Sequence, residues 1–147
     1  MACYSISDVK GFCAGGLIGK VTSWDDHILH SYASGVLDFD MERQQHHFGD
    51  VGIGGLVGFD YTHCSMVSCF WDVEATEVTQ VVGGRTFERE DDPPYPNAGR
   101  STQQMQTEET FVSQGWAFGN TWALCQDAYP QLAWEETLCP ETTSLSE

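Results

Sequence analysis

Basic residues are scarce in this chain. Lys and Arg together number 6 against 22 Asp and Glu, which gives a formal net charge of -16 at pH 7. An anionic surface repels phosphate backbones and anionic lipids, so nucleic acid is excluded as a favoured partner. Calcium is the only cofactor that the acids suggest, and we favour a general solvated acidic surface over a specific ion site.

Long apolar runs are also missing. No stretch approaches the roughly 18 apolar residues that a membrane-spanning helix needs, so we predict no membrane insertion. The N-terminus lacks a basic segment followed by an apolar run, which is the pattern of a signal peptide. We therefore expect an export signal to lie outside this chain and the chain to be a fragment.

Cysteine is too sparse for a disulfide scaffold, with 6 in 147 residues. Their spacing contains no C-x-x-C pair and no zinc-ligand pattern. An even number permits up to three disulfides, but we expect most of these cysteines to be small buried side chains in strands. The six are Cys3, Cys13, Cys64, Cys69, Cys125 and Cys139.

Nucleophile and metalloprotease motifs are absent, since the chain has no G-x-S-x-G, no H-E-x-x-H and no P-loop. Asp72 and Glu74 are the best candidate pair, because two acids at i and i+2 on a strand share one face. Paired carboxylates serve glycoside hydrolysis. A strand with a solvated acidic face is the simpler interpretation, and we predict that the chain is not an enzyme.

Two further polar clusters have ordinary explanations. His46 and His47 lie among acids, but adjacent side chains on an extended loop point apart, which favours an exposed pair over a metal site. Asp25, Asp26 and His27 are typical of an Asp-rich turn rather than a calcium loop.

An internal repeat is the most specific signal. The motif at 15–19, Gly-Gly-Leu-Ile-Gly, recurs at 54–58 as Gly-Gly-Leu-Val-Gly, an offset of 39 residues. A small residue followed by an aromatic then recurs at 31–32 and 69–70, an offset of 38, and Cys3-Tyr4 repeats it 28 residues earlier. We expect the paired glycines to form corners with positive φ. The positions predicted to be structural are Gly15, Gly16, Leu17, Gly19, Gly54, Gly55, Leu56 and Gly58.

The spacing divides the chain into segments. Residues 1–84 carry the repeats, with a surplus at 37–51 that predicts an inserted loop. Residues 85–98 are acidic and proline-rich, which predicts a second loop. Residues 99–136 are predicted to form a cap over the end of the repeat array, and 137–147 a loose tail.

The cap has its own local signals. Ser101 and Gln104 match a capping box that begins a short helix, and Thr107 begins a second one. Phe111 and Val112 should face inward, and Gly115 should end the helix. Two strands are predicted over 121–125 and 131–134. The expected aromatic core comprises Trp116, Phe118, Trp122, Tyr129, Leu132 and Trp134.

The repeated Gly-Gly-Leu-x-Gly motif, followed each time by the aromatic strand, resembles the GLUG repeat family. The resemblance covers roughly residues 3 to 76. It implies a β-helical solenoid and a place in large bacterial or archaeal surface proteins, some beside surface peptidases. The segment from Gly99 to Trp134 resembles the terminator of such an array.

We therefore predict a mainly β fold, a right-handed parallel β-helix or solenoid with a small α+β C-terminal cap. The expected function is a non-catalytic structural or adhesive module at the cell surface or outside the cell. Its expected partners are a glycan or a protein, together with adjacent repeats of a longer chain. The alternatives are a fragment of a β-helical carbohydrate-active enzyme and an ancillary domain of a surface peptidase.

Overall fold

The computed structural model describes residues 2–24, 26–40, 50–86 and 94–135, and in these residues the protein is mainly β. The strands are β1 (Tyr4–Ser5), β2 (Val9–Gly11), β3 (Cys13–Gly15), β4 (Ile18–Val21), β5 (His27–Leu29), β6 (Tyr32–Ala33), β7 (Leu37–Phe39), β8 (Gly52–Gly54), β9 (Val57–Asp60), β10 (Ser65–Val67), β11 (Phe70–Asp72), β12 (Val82–Arg85), β13 (Gly99–Arg100), β14 (Trp122–Ala123) and β15 (Gln131–Leu132). The helices are α1 (Val73–Thr76), α2 (Thr102–Met105) and α3 (Glu108–Val112).

Strand pairing follows the offsets between the repeated motifs. Gly15 pairs with Gly54, an offset of 39, and Tyr32 pairs with Phe70, an offset of 38. Tyr4 pairs with Tyr32 at an offset of 28. All of these pairs are parallel, and among the described strands only β14 and β15 pair in antiparallel fashion. Equivalent residues of successive copies therefore lie next to each other.

Two segment boundaries need correction. The predicted loop at 37–51 starts too early, because β7 (Leu37–Phe39) pairs in parallel with β2. The boundary between 84 and 85 is also wrong, because it cuts β12, which adds to β9 as the third strand of the sheet β4-β9-β12. In both cases a partner strand pairs with residues that repeat spacing or composition had assigned to a loop.

The predicted reason for the paired glycines is wrong. Among the described residues, the glycines with positive φ are Gly115 and Gly119, not those of the motif. Five of the six motif glycines, all except Gly19, instead lie where a side chain has no room. A Cβ at Gly15 would be 2.2 Å from the carbonyl oxygen of Ile18, and one at Gly55 would be 2.3 Å from Cδ1 of Trp71. Close approach of backbone and indole excludes every larger residue there.

Left-handed corners occur elsewhere in the repeat, at non-glycine residues. His30 and Ser68 have φ values of 44° and 53° and lie 38 residues apart, directly after β5 and β10. The chain thus makes the same turn in both copies. A residue with positive φ breaks the strand and allows the next one to take a new direction.

Successive side chains of β11 point to opposite faces of the sheet, as they do along any strand. Trp71 points toward Gly55 and is buried with the repeat core. Phe70 faces the other way, with its ring centroid 5.4 Å from that of Phe111. Tyr32, in register with Phe70, shares that face and is fully buried.

The C-terminal cap therefore lies along the face of the sheet β1-β6-β11-β13, rather than only over its last strand. Its residues reach from Phe70 to Tyr4 on β1, since Tyr4 lies 6.2 Å from Trp122 between ring centroids. Tyr4 also donates a hydrogen bond to Glu135 at 2.7 Å. The cap that we predicted over the end of the array instead covers one side of the sheet. It buries the aromatic side chain that each copy directs outward from the repeat core.

Within the cap, the capping box of Ser101 and Gln104 is confirmed. Thr107 occupies the N-cap position of α3, but its side chain makes no capping hydrogen bond. Phe111 is fully buried, whereas Val112 is 45% exposed, so the prediction for Val112 is wrong. Trp134, at 75% exposed, is also outside the core that we predicted for it.

The two predicted cap strands exist, but each is shorter than expected. They are β14 and β15, which pair through Trp122 with Leu132 and Ala123 with Gln131. Trp116 and Trp122 are buried with ring centroids 4.4 Å apart, and Tyr129 stacks on Tyr32. An aromatic cluster therefore joins the cap to the sheet.

Candidate functional site

Asp72 and Glu74 do not share a strand face, so the predicted arrangement of two carboxylates side by side on one strand is wrong. Asp72 ends β11 and is the N-cap of α1, where its Oδ1 accepts from the backbone N–H groups of Glu74 and Ala75, each at 2.9 Å. Its Oδ2 accepts from the Tyr129 hydroxyl at 2.7 Å. Asp72 is fully buried, and its hydrogen bonds fix the start of a helix.

Glu74 is exposed and serves the neighbouring helix. Its Oε2 accepts from the backbone N–H of Thr102 at 2.8 Å, at the first residue of α2. A carboxylate at a helix N-terminus satisfies an otherwise unpaired donor and interacts favourably with the helix dipole. Both acids of the proposed pair thus act as helix caps in this structure.

Asp60 repeats the arrangement of Asp72 at the end of β9, and our sequence reasoning missed it. It is 1% exposed and accepts hydrogen bonds from Thr62 N at 2.8 Å and Cys64 N at 2.7 Å. Tyr95 donates its hydroxyl to Oδ2 of Asp60 at 2.7 Å. The only sequence signal was Asp60-Tyr61-Thr62, an Asp two residues before a hydrogen-bonding turn residue.

The pKa of Asp60 is held below its ordinary value by these contacts. Burial alone would raise the pKa, but the hydrogen bonds from Tyr95, Thr62 and Cys64 favour the charged form and outweigh it. The Cys64 thiol next to this carboxylate has a raised pKa, chiefly because it is buried. The site therefore keeps a carboxylate charged and a thiol protonated, which is the opposite of an activated cysteine nucleophile.

All five tyrosines donate a hydrogen bond from their hydroxyl. Four of the acceptors are carboxylates, and the fifth is the carbonyl oxygen of Pro130. The pairs are Tyr4 with Glu135, Tyr32 with Pro130, Tyr61 with Asp50, Tyr95 with Asp60 and Tyr129 with Asp72. The pKa of every one is raised: burial is the main cause for four, and the bond to Asp50 for Tyr61. These contacts tie loops and the cap to the repeats.

A shallow cleft of about 500 Å³ runs beside β12 and is the candidate binding surface. The strand Val82–Arg85 forms one side, and residues 95–97 form the other. Arg85 lies over the Tyr95 ring at 5.7 Å from its centroid, and the Tyr95 ring also stacks with His63 at 4.5 Å between centroids. The cleft is therefore lined by the backbone of an edge strand together with aromatic and polar side chains.

The remaining sequence candidates form no site in the part of the chain that the structure describes. Asp25, His46 and His47 lie outside the described residues. Asp26 and His27 are exposed. No group of three or more His, Cys, Asp or Glu among the described residues is placed to hold a metal ion. None of the described helices is long and apolar enough to cross a membrane.

The prediction that most cysteines are buried agrees with the structure only in part. Cys64 and Cys69 are buried and free, and burial raises the pKa of Cys69 to about 11. Cys3 and Cys13 are free and partly exposed. Cys125 is disulfide-bonded.

No family model, curated protein or solved structure matches the chain.

Proposed function

We propose that this chain is a non-catalytic structural or adhesive module of a secreted or cell-surface protein, built as a right-handed parallel β-solenoid of GLUG-type repeats. The observation that carries the proposal is the shared register of the parallel strands. Ile18, Val57 and Val82 occupy one row across β4, β9 and β12. Rows of equivalent apolar residues are the core of a stacked repeat array, in which each unit packs on the next.

The use of the polar residues supports a structural role. Asp60 and Asp72 are buried, and their carboxylate oxygens accept hydrogen bonds from backbone N–H groups and tyrosine hydroxyls. Catalytic carboxylates need access to the substrate and to water. A solenoid that presents a binding surface needs only rigidity, which these contacts provide.

The module would act by geometry: a stiff array holds surface features at fixed spacing. The cleft beside β12 is the described surface that best suits a glycan or protein ligand, because rigid aromatic and amide groups line it. Most of the two predicted loops, residues 41–49 and 87–93, lies outside the described residues.

Duplicating one repeat tests the architecture. Inserting a second copy of residues 15–53 after Ile53 adds one full offset of 39 residues and keeps the sequence at both junctions. A solenoid should accept the copy, fold, and lengthen by roughly 4.8 Å, the distance between neighbouring strands. Its melting temperature should equal or exceed that of the parent because one more apolar interface is buried. Small-angle scattering and circular dichroism measure both quantities.

The matched control carries the same 39 residues in shuffled order at the same point. It should lower the melting temperature, since an unstructured insertion adds loop entropy and no interface. If the duplicated chain melts no higher than the shuffled one, the stacked architecture is wrong.

A glycan array probed with the intact chain tests the adhesive role. Binding that persists in Asp72→Asn and Glu74→Gln, with no release of reducing sugar from the bound glycan, agrees with a non-catalytic module. Sugar release by the parent chain that these two variants abolish would support the enzyme alternative.

A further inference from the structure

The two copies of the repeat are covered unequally. In the second copy, Leu56 and Val57 are fully buried. Their counterparts in the first copy, Leu17 and Ile18, remain partly exposed. The cause is position in the sheet β4-β9-β12: β9 has a neighbour on each side, whereas β4 pairs only with β9 within the described part of the chain. Among the described strands, none covers the outer side of β4 and its apolar pair.

The opposite edge of the same sheet is also unpaired within the part of the chain that the structure describes. β12 pairs only with β9 among the described strands, and the cleft of about 500 Å³ runs along it. Val82 on this strand is partly exposed, as Ile18 is on β4. An open strand edge presents unpaired N–H and C=O groups that can pair with another strand.

These two edges are complementary. All three strands run parallel, so the outer side of β12 faces the direction from which a further β4 would approach. Val82 pairs with Val57, and Val57 pairs with Ile18. A second β4 placed on β12 in the same register puts its Ile18 beside Val82 and continues the row.

We propose that two copies of this chain associate head to tail, with β4 of one copy adding in parallel to β12 of the other. The inference goes beyond the proposed function, because it needs only the parallel register of this sheet and no ligand. Since such a contact uses two different surfaces and does not close on itself, it leads to open-ended oligomers.

Charge on the β4 side favours this contact over other parts of the surface. Lys20 lies on β4 and pairs with Asp50 at 2.6 Å. This ion pair makes the β4 edge locally close to neutral, whereas the chain carries a net charge of -16. Because the two copies repel overall, association should strengthen as salt screens that repulsion.

Two single variants and their mixture test the geometry. Ile18→Glu blocks the β4 edge, and Val82→Glu blocks the β12 edge, each by placing an unpaired charge in the contact. Sedimentation velocity of the parent chain over a concentration series in 0.5 M salt should show oligomers that grow with concentration. Each variant alone should associate at least tenfold more weakly. An equimolar mixture should recover association but stop at dimers, because each dimer joins one intact β4 to one intact β12.

The other outcomes overturn the proposal. Dimers of Val82→Glu alone would mean that two β4 edges meet, and dimers of Ile18→Glu alone that two β12 edges meet. A parent chain that stays monomeric at millimolar concentration in 0.5 M salt would refute any such contact, and this measurement needs no variant to fold. Val67→Glu is the matched control, since Val67 is 49% exposed on β10 and should leave association unchanged. Failure here leaves the repeat duplication test unaffected.

Discussion

Gly19 and Gly58 occupy the same position in the two copies of the motif, but their surroundings differ. A Cβ at Gly58 would lie 2.5 Å from the carbonyl oxygen of Gly19 and 2.7 Å from the backbone nitrogen of Ala14. At Gly19 the only contact would be the carbonyl oxygen of Cys13 at 3.7 Å. We expect Gly58→Ala to lower the free energy of unfolding by about 3 kcal/mol, because rigid backbone must move.

Gly19→Ala is the control and should change the free energy of unfolding by less than about 1 kcal/mol. Urea denaturation of both variants measures the difference. Equal losses in the two variants would show that conformational freedom, rather than space, makes glycine necessary here.

Asp60 should contribute to stability in a pH-dependent way. Its folded pKa lies below its unfolded value, so its contribution is present above about pH 4 and is lost as pH falls through the folded pKa. Asp60→Asn removes the charge and turns an NH2 group toward donors such as Tyr95 and Cys64 N. We expect a loss of roughly 2 to 3 kcal/mol at pH 7. The loss should shrink as pH falls from the unfolded value through the folded pKa, because the parent carboxylate itself becomes protonated there.

Urea midpoints of both chains between pH 2 and pH 7 test this dependence. Asp38→Asn is the control, because Asp38 forms an exposed ion pair with Lys10 that is worth at most about 1 kcal/mol. If the difference between Asp60→Asn and the parent is the same at every pH, the carboxylate is not held in its charged form by the fold.

The sequence identified the important glycines but not the reason for them. Five of the six glycines in the two Gly-Gly-Leu-x-Gly motifs exclude larger residues, yet local sequence does not distinguish positive φ from close packing. That distinction depends on the partner, such as Trp71 against Gly55, which is distant in sequence. Asp60 was missed for a similar reason, since its hydroxyl partner Tyr95 lies 35 residues away.

At the scale of elements, Trp122 on β14 is a buried residue that joins the cap to the repeats. Trp122 is 1% exposed and contacts both Tyr4 and Trp116. We expect Trp122→Ala to cost about 3 to 5 kcal/mol, as removal of a large core side chain does. Trp134, at 75% exposed, is the matched control, and Trp134→Ala should stay within about 0.5 kcal/mol.

Near-ultraviolet circular dichroism and thermal melts report these effects. A melting temperature that falls equally in both variants would mean that Trp134 belongs to the packed cluster, as the sequence had suggested. Loss of the aromatic signal in Trp122→Ala with the strand signal retained would mean that the cap detaches while the repeats stay folded.

Elements with complete local signals were predictable, and those decided by competing partners were not. The helix start at Ser101 has both members of its capping box within four residues. From local sequence, Asp72 and Glu74 could equally continue the strand or begin a helix. Helix α1 forms there because Asp72 caps it and Tyr129 holds Asp72 in place. Likewise, which aromatic of Phe70-Trp71 faces the core depends on Gly55 on a neighbouring turn of the chain.

At the scale of the whole molecule, the cap makes distant segments interdependent. Tyr4 on the first strand bonds to Glu135 near the end of the described chain, and Tyr32 bonds to Pro130. In an array held together only by neighbouring repeats, the first and last units are independent. Here the cap contacts β1, β6 and β11 together, so we expect the described segments to unfold as one cooperative unit.

The acidic surface sets the response of the whole molecule to ions. A net charge of -16 destabilises the compact state through self-repulsion, so sodium chloride should raise the melting temperature by screening it. Calcium at equal ionic strength should add little, because a general acidic surface is screened by ionic strength rather than by one particular cation. A true site filled to 100 times its Kd would add about 2.7 kcal/mol, or several degrees. Melts in calcium chloride and in sodium chloride of matched ionic strength, each repeated with a chelator, separate these cases: a chelator-sensitive rise of several degrees would overturn the view of the acids as general solvation.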